Sequence, residues 1–215
     1  MMCGRKTLNS SCTVGILLWF SLLTTSVESL ACVTNSFPEV FQDRAWTLPR
    51  LLEILPEGMR QEEAFEEMFT SPLLTNPVHK VGTLRFSPPF SLEKHVTFPF
   101  EERFRADEDR LYYENPDQGI SSSFSLNDFP SLSAFIQGLR ALLNGDLELL
   151  QRHFQTEMGG DAQAWTLTLR PMNTDRAQGV ECIQFQGKSR RIHVIHVLDR
   201  NGDSSRMVIS LVDKS

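Results

Sequence analysis

Histidine and carboxylate side chains near the end of the chain come closest to the spacing of a metal site. His193 and His196 are three residues apart, which places two side chains on opposite faces of a strand, so they are not expected to share a metal. The segment Asp199–Asp203 imitates a calcium loop, but its glycine, Gly202, is the fourth residue, and such loops need glycine at the sixth. The sequence therefore predicts no metal site, and it predicts a hairpin turn at this segment.

Sequence motifs of catalysis are missing as well. The chain has no Gly-x-Ser-x-Gly elbow, no phosphate-binding loop and no dinucleotide fingerprint. Acidic runs at 101–102 and 107–109 contain the carboxyl groups that glycoside hydrolysis uses, but short charged runs of this kind are typical of solvated turns. Ser121–Ser123 has no evident base partner. These observations predict a protein that is not an enzyme and needs no cofactor.

The first 31 residues have the pattern of an export signal. Arg5 and Lys6 give a positive start, Thr13–Leu23 is an apolar run of 11 residues, and Ser29–Ala31 fits cleavage after small-x-small. A membrane-spanning helix needs about 20 apolar residues, so an uncleaved anchor is the less favoured alternative. We predict a signal peptide over residues 1–31.

Cleavage after Ala31 makes Cys32 the first residue of the mature chain. Lipidation of Cys32 would tether the protein to a membrane, although Ser29 stands where lipoprotein signals usually have an aliphatic residue. The other possibilities are a free thiol and a disulfide with Cys182, the second cysteine that survives processing. The sequence leaves these three alternatives open.

The composition of the mature chain excludes some classes of protein. Loss of Arg5, Lys6 and Glu28 from the 21 basic and 27 acidic residues leaves 19 and 26, a net charge of −7. This balance argues against a nucleic-acid partner, which would require a basic face. The remaining 184 residues suit one domain. We predict a flexible lead-in at 32–45 and that domain at 46–215.

The apolar pattern predicts an α+β fold. Leu48–Leu55 has helical spacing, and the segment from Leu132 to Leu143 gives an amphipathic helix, with Pro130 in its first turn and Asn144-Gly145 as its C-cap. A second short helix follows to about Phe154. Alternating patterns predict strands at 81–86, 92–98, 101–106, 110–114, 120–126, 165–169, 183–185, 191–199 and 206–212. On pattern alone, an apolar sheet face under a helix is an ordinary core.

An ordered series of short motifs favours a ligand cavity over an ordinary core. The motifs are Phe65–Phe69, Leu73–Pro77, Gly82–Phe86, Leu142–Asp146 and Trp165–Pro171. In this order they resemble the LolA-like family of periplasmic carriers of outer-membrane lipoproteins. The family has an Arg-Pro pair where this chain has Pro88-Pro89, which indicates a divergent subfamily and a cargo that could be another acylated molecule.

The resemblance implies a strongly curved, unclosed antiparallel β-barrel (a half-barrel) with an N-terminal helix, and a helical insert at 131–154 that forms a lid or plug over an apolar cavity. It makes residues 61–69 a strand. The cavity side chains that we expect on this basis are Leu84, Phe86, Leu92, Phe124, Leu126, Phe135, Leu139, Leu142, Trp165, Leu167, Leu169, Ile183 and Phe185.

The resemblance also implies a function. We expect a monomeric periplasmic carrier of lipoprotein acyl chains or other lipids, loaded by an inner-membrane donor complex and unloaded at an outer-membrane acceptor. The alternatives are a LolB-like acceptor anchored through Cys32, a non-catalytic domain that senses or binds lipoproteins, and a hydrolase of lipid-like substrates. The hydrolase is least favoured, because no nucleophile with a base is visible.

Overall fold

Alternating polar and apolar residues give most of this chain a β structure. The computed structural model describes residues 46–58, 62–89, 91–172 and 179–210. Within these ranges lie three α-helices and 11 strands, together with single 3₁₀ turns at Pro116–Gln118 and Leu126–Asp128. In chain order the elements are α1 Leu48–Gly58, β1 Glu62–Thr70, β2 Val78–Ser87, β3 Ser91–Phe98, β4 Glu102–Asp107, β5 Arg110–Asn115, β6 Ile120–Ser125, α2 Pro130–Asn144, α3 Leu147–His153, β7 Phe154–Gly160, β8 Trp165–Pro171, β9 Val180–Lys188, β10 Arg191–Asp199 and β11 Ser204–Ser210.

The strands form one antiparallel sheet in the order β6-β5-β4-β3-β2-β1-β11-β10-β9-β8-β7. Strand β1 pairs with both β2 and β11, so the first and last strands meet at the centre of the sheet. Strands β6 and β7 lie at opposite edges and do not pair with each other. The predicted unclosed antiparallel half-barrel is confirmed, and residues 62–70 form a strand as expected.

Helices α2 and α3 connect the two edge strands. Pro130 is the first residue of α2. The backbone N–H that proline lacks would have no partner within the helix at this position. Gly145 ends α2 in the left-handed conformation (φ 71°), and Asp146 accepts a hydrogen bond from the amide of Leu149 at the start of α3. These caps stand where the sequence predicts them.

The main core lies between the helices and strands β8 and β9. Helix α2 approaches this part of the sheet closely at Gly138, where an added Cβ would stand 3.0 Å from Leu169 Cδ1. Trp165 lies over Gly187, and an added Cβ there would stand 2.1 Å from the indole ring. Both glycines therefore allow a close approach that any side chain would prevent.

The structure corrects the sequence interpretation at two places. Residues 154–160 form an edge strand, β7, where the sequence indicated only the end of a helical excursion. Most side chains of β7 are exposed, on both faces of the strand, so its sequence does not show the alternation of polar and apolar residues that predicts a strand. Strand β10 has a bulge between Ile192 and Val194, so simple alternation does not describe His193 and His196. The signal at 1–31, the lead-in at 32–45 and Cys32 lie outside the described residues.

We expect Leu167→Ala to lower the free energy of unfolding by about 2–5 kcal/mol, because Leu167 is fully buried and the change leaves a cavity. Leu73→Ala is the matched control. Leu73 is 92% exposed, so its effect should stay within about 0.5 kcal/mol. Chemical denaturation monitored by tryptophan fluorescence measures both, and similar losses for the two variants would contradict this placement of the core.

Candidate functional site

A pocket of about 450 Å³ lies between helix α2 and the half of the sheet that contains β2 to β5. This volume is within the usual range for ligand pockets, about 300–1,000 Å³. Leu132, Phe135 and Leu139 line it from the helix, and strands β10 and β11 add Ile195 and Met207. Most of the wall is aliphatic or aromatic, so the pocket suits an apolar ligand.

The pocket exists because α2 packs closely on one part of the sheet and leaves space beside another part. The helix packs on β8 and β9, where Gly138 brings it within contact of Leu169 and Ile183. The opposite flank of the helix faces β2 to β5 at a distance that leaves open space. One helix is about 10–12 Å wide with its side chains, so it does not fill the concave face of an 11-stranded sheet.

The thirteen predicted cavity residues fall into three groups. Five line the pocket: Leu84, Phe86, Leu92, Phe135 and Leu139. Six belong to the solid core beneath the helices instead: Leu142, Trp165, Leu167, Leu169, Ile183 and Phe185. All six are buried, where the helices and strands β8 and β9 pack together.

The other two predicted positions, Leu126 and Phe124, lie near the β6 edge. Leu126 is buried in a small cluster with Ala106, Leu111 and Ile136; these three side chains line the pocket, but Leu126 does not. Phe124 is 38% exposed and makes an edge-to-face contact with Phe129. Among the described strands none pairs with β6 on its outer side, so Phe124 lies at an open edge of the sheet.

Charged residues in the pocket wall were missed by the sequence interpretation. Glu63 and Glu67 lie on the inner face of β1, and both are buried. Arg191 Nη2 donates to both carboxylate oxygens of Glu63, at 2.9 and 3.0 Å. Glu67 accepts from Lys94 and from the hydroxyl of Ser205. The sequence signal was weak, since β1 has glutamates on both faces.

The Glu67–Lys94 pair shifts the pKa of both of its members. Burial acts to raise the pKa of Glu67, but Lys94, with help from Ser205 and Lys80, holds that pKa below its usual value. Burial lowers the pKa of Lys94, and the attraction of Glu67 opposes this only in part. Each charge is therefore tolerated in the wall mainly because the other is present.

Polar contacts tie α2 to the sheet at both ends of the pocket. Arg140 donates to the main-chain oxygens of Glu108 and Ala106 in the β4–β5 hairpin, at 2.5 and 2.9 Å. Near the C-terminal end of the helix, Asn144 donates to the oxygen of Pro89, at 2.9 Å. At the other end, Ser131 hydrogen-bonds the carboxyl of Asp199, whose pKa is raised by burial. Helix α2 is thus tied to the strands and turns of the sheet by polar contacts at both ends.

The described residues contain no group of three histidine, cysteine or acidic side chains that could hold a metal ion. None of the described helices is long and apolar enough to cross a bilayer. Cys182 is disulfide-bonded. Cys32, for which the sequence left lipidation, a free thiol and a disulfide with Cys182 open, lies outside the described ranges.

Comparison with known proteins gives a family match. The family described as "Outer membrane lipoprotein carrier protein LolA-like" matches residues 38–213. No protein among curated sequences matches the chain.

Three solved structures are distantly similar to the chain. One is a LolA superfamily protein from Nitrosomonas europaea, with 11% identity, a TM-score of 0.41 and coverage of 80% of this chain and 96% of that one. Another is an outer membrane lipoprotein-sorting protein domain from Vibrio parahaemolyticus, with 9% identity, a TM-score of 0.40 and coverage of 76% and 92%. The third is the MucA/MucB complex of Pseudomonas aeruginosa, with 10% identity, a TM-score of 0.38 and coverage of 76% and 56%.

We expect Arg140→Met to destabilise the contact between α2 and the β4–β5 hairpin. The change leaves two main-chain oxygens without their donor, at a cost of about 1–3 kcal/mol in the free energy of unfolding. Hydrogen exchange should increase in α2 and in the hairpin. Arg152→Met removes an exposed ion pair with Glu148 and is the control, with an effect below about 0.5 kcal/mol. Equal effects of the two substitutions would show that Arg140 does not hold the helix.

We expect Lys94→Met to lower the free energy of unfolding at neutral pH by about 3–5 kcal/mol, because it leaves the buried carboxylate of Glu67 unpaired. Without Lys94, burial raises the pKa of Glu67, so the carboxyl protonates as the pH falls and part of this loss is recovered in mild acid.

The double variant Glu67→Gln/Lys94→Met should be more stable than Lys94→Met alone at neutral pH. Urea unfolding of both variants at neutral and mildly acidic pH measures these differences. A loss of stability that is independent of pH would refute the role assigned to the pair.

Proposed function

The chain belongs to the LolA-like outer membrane lipoprotein carrier family, and on this premise we propose that it binds acyl chains of lipoproteins or of other lipids in the pocket under α2. The single observation that carries the proposal is the open apolar space between α2 and strands β2 to β5. An ordinary core would be filled there to the density of a crystal. In this proposal the protein acts as a carrier that holds its ligand unchanged.

The walls of the pocket supply the energy for binding. Transfer of an acyl chain from water to an apolar site is favourable by about 0.8 kcal/mol for each methylene. Phe86, Leu92 and Leu139 contribute apolar surface from the sheet and the helix. A chain with a dozen or so methylenes would thus have a driving force large enough to keep it out of water.

The charged pairs in the wall are neutralised among themselves. Glu63 pairs with Arg191, Glu67 with Lys94, and Lys80 with Glu102 at 3.1 Å. Each of these charges has a partner, so none of them requires a charged group on the ligand; Glu93, Asp199 and Asp203 add acidic groups to the lining, which would disfavour an anionic group there. This supports the acyl chains, and not a headgroup, as the part that the pocket holds.

Loading and release would proceed by movement of α2. The helix lies across the concave face and is tied to neighbouring turns through Arg140 and Asn144. Breaking these bonds would let the helix move away from β2 to β5 while its contacts near β8 and β9 remain. In this proposal the helix is the lid of the carrier.

The same proposal includes export to the periplasm and transfer of cargo from an inner-membrane donor to an outer-membrane acceptor. A LolB-like acceptor anchored through Cys32 is the second candidate. Pairing of Cys182 with Cys32 would favour the soluble carrier over this acceptor, because a sulfur atom in a disulfide does not also hold a lipid. Cys3 and Cys12 fall in the predicted signal, so Cys32 is the partner that the mature sequence offers.

Native mass spectrometry of the protein exported to the periplasm of a Gram-negative host tests the carrier function. We expect non-covalent adducts of lipid mass and no diacyl group on Cys32. Leu139→Glu should abolish the adducts, because it puts a desolvated carboxylate in the apolar wall. Gln151→Glu, which adds the same charge at an exposed position of α3, should retain them.

Leu132→Trp provides a second test that does not rely on charge, since the larger side chain takes up space in the pocket. Reduced lipid retention by this variant is expected at unchanged folding. Undiminished lipid in a folded Leu139→Glu protein would show that α2 does not line the site. Bare polypeptide from the unmodified chain would favour a domain that binds or senses lipoproteins.

A further inference from the structure

Large apolar side chains are exposed on two neighbouring connections at one end of the sheet. Leu73 is 92% exposed and Leu74 44% exposed in the connection between β1 and β2. Phe98 is 53% exposed and Phe100 66% exposed at the turn between β3 and β4. We call these four side chains the apolar tip surface. Isolated exposed leucines are common, but four together on adjacent tips mark an interaction surface.

The two connections lie side by side. Strands β2 and β3 are antiparallel neighbours, so the start of one is beside the end of the other. The ring of His79 at the start of β2 is 6.0 Å from the ring of Phe98, which joins the two tips. Next to Phe100, the amide of Glu101 donates a hydrogen bond to the carboxylate of Asp117. Asp117 belongs to the connection between β5 and β6, which lies at the same end of the sheet.

Local hydrogen bonds fix the backbone of the β1–β2 connection, which carries Leu73 and Leu74. The amide of Leu74 donates to the main-chain oxygen of Ser71 at 3.0 Å, and the amide of Leu73 donates to the Ser71 hydroxyl at 3.2 Å. Pro72 fixes the backbone between them. A rigid turn that already presents its leucines outwards loses little conformational freedom on docking.

The chemistry of the tips favours lipid over a protein partner. Residues 71–77 and 98–100 contain no charged side chain. A loop that enters the boundary between headgroups and acyl chains must bring no charge with it, and the charged neighbours of the tips, Glu101 and Asp117, lie outside these two stretches. The long uncharged tips therefore fit a bilayer surface.

The tip surface is adjacent to one end of the pocket. Phe69 lines the pocket and is followed within four residues by Leu73. Pro72 rests on the β10–β11 hairpin, where a Cβ added to Gly202 would stand 2.9 Å from its ring. Asp203 of that hairpin also lines the pocket. A surface on which the tips dock would thus face this end of the pocket.

We propose that the apolar tip surface docks the protein on a lipid bilayer with zwitterionic headgroups. The leucine and phenylalanine side chains enter the interface between headgroups and acyl chains, where binding grows with the apolar area buried. The chain has a formal net charge of −6, so an anionic bilayer surface repels it. Docking concerns how the protein meets a membrane, which goes beyond the holding of a lipid in the pocket.

Flotation of the exported protein with phosphatidylcholine vesicles tests this proposal. We expect the unmodified protein to float with the vesicles, and Leu73→Ser/Phe100→Ser to reduce the bound fraction at least tenfold. Phe124→Ser/Val208→Ser is the matched control. It also removes one exposed aromatic and one exposed aliphatic side chain, 38% and 37% exposed, but away from the tips, so binding should be unchanged.

Replacement of part of the phosphatidylcholine by phosphatidylglycerol should weaken binding, and stronger binding would overturn the zwitterionic assignment. Equal flotation of both double variants would overturn the docking role of the tips. Tip-dependent dimers without vesicle binding would assign the surface to a second copy of the chain. Native mass spectrometry of the same variants separates docking from cargo: Leu73→Ser/Phe100→Ser should lose vesicle binding and keep any lipid held in the pocket.

Discussion

An antiparallel sheet that does not close leaves one apolar face to cover, and here the helical insert covers it together with α1, whose leucines belong to the same core. The 11 strands are joined in an unbroken series of neighbours, and the chain crosses from β6 to β7 only through α2 and α3. Helix α2 makes a tight contact on one side only. Where it meets β8 and β9 the structure is a solid core, and where it faces β2 to β5 a pocket remains.

The polar groups of the pocket follow from the same constraint. Strand β1 lies at the centre of the sheet, so the inner face that bears Phe65 also bears Glu63 and Glu67. Buried carboxylates are costly unless they are paired, and Arg191 and Lys94 reach them from neighbouring parts of the concave face. These pairs let charged residues form part of a wall that is otherwise apolar.

The end of the sheet that carries the apolar tip surface differs from the opposite end. Strands that alternate in direction bring the β1–β2 and β3–β4 connections to one end, and both carry apolar side chains into solvent. The opposite end holds the turns to which Arg140 and Asn144 tie the helix. A carrier with this arrangement would have most of its helix contacts at the end opposite the apolar tip surface, with Ser131 and Asp199 as the contact at the same end.

The sequence by itself determined most of the secondary structure. Alternation over residues 191–199 and the Asn201-Gly202 turn specify a hairpin locally, and Pro130 and Gly145 mark the limits of α2. The order of motifs was enough to recognise the family. Strand β7 was missed because an exposed edge strand such as Phe154–Gly160 needs no apolar alternation.

Only the tertiary structure decided which apolar residues enclose a pocket and which fill a core. Leu167 and Leu84 both alternate with polar residues in their strands, but one is covered by α2 and the other lines open space. Periodicity reports which face of a strand is buried, not what packs on it. The pairing of Glu63 with Arg191, 128 residues apart, likewise depends on contacts that no local pattern encodes.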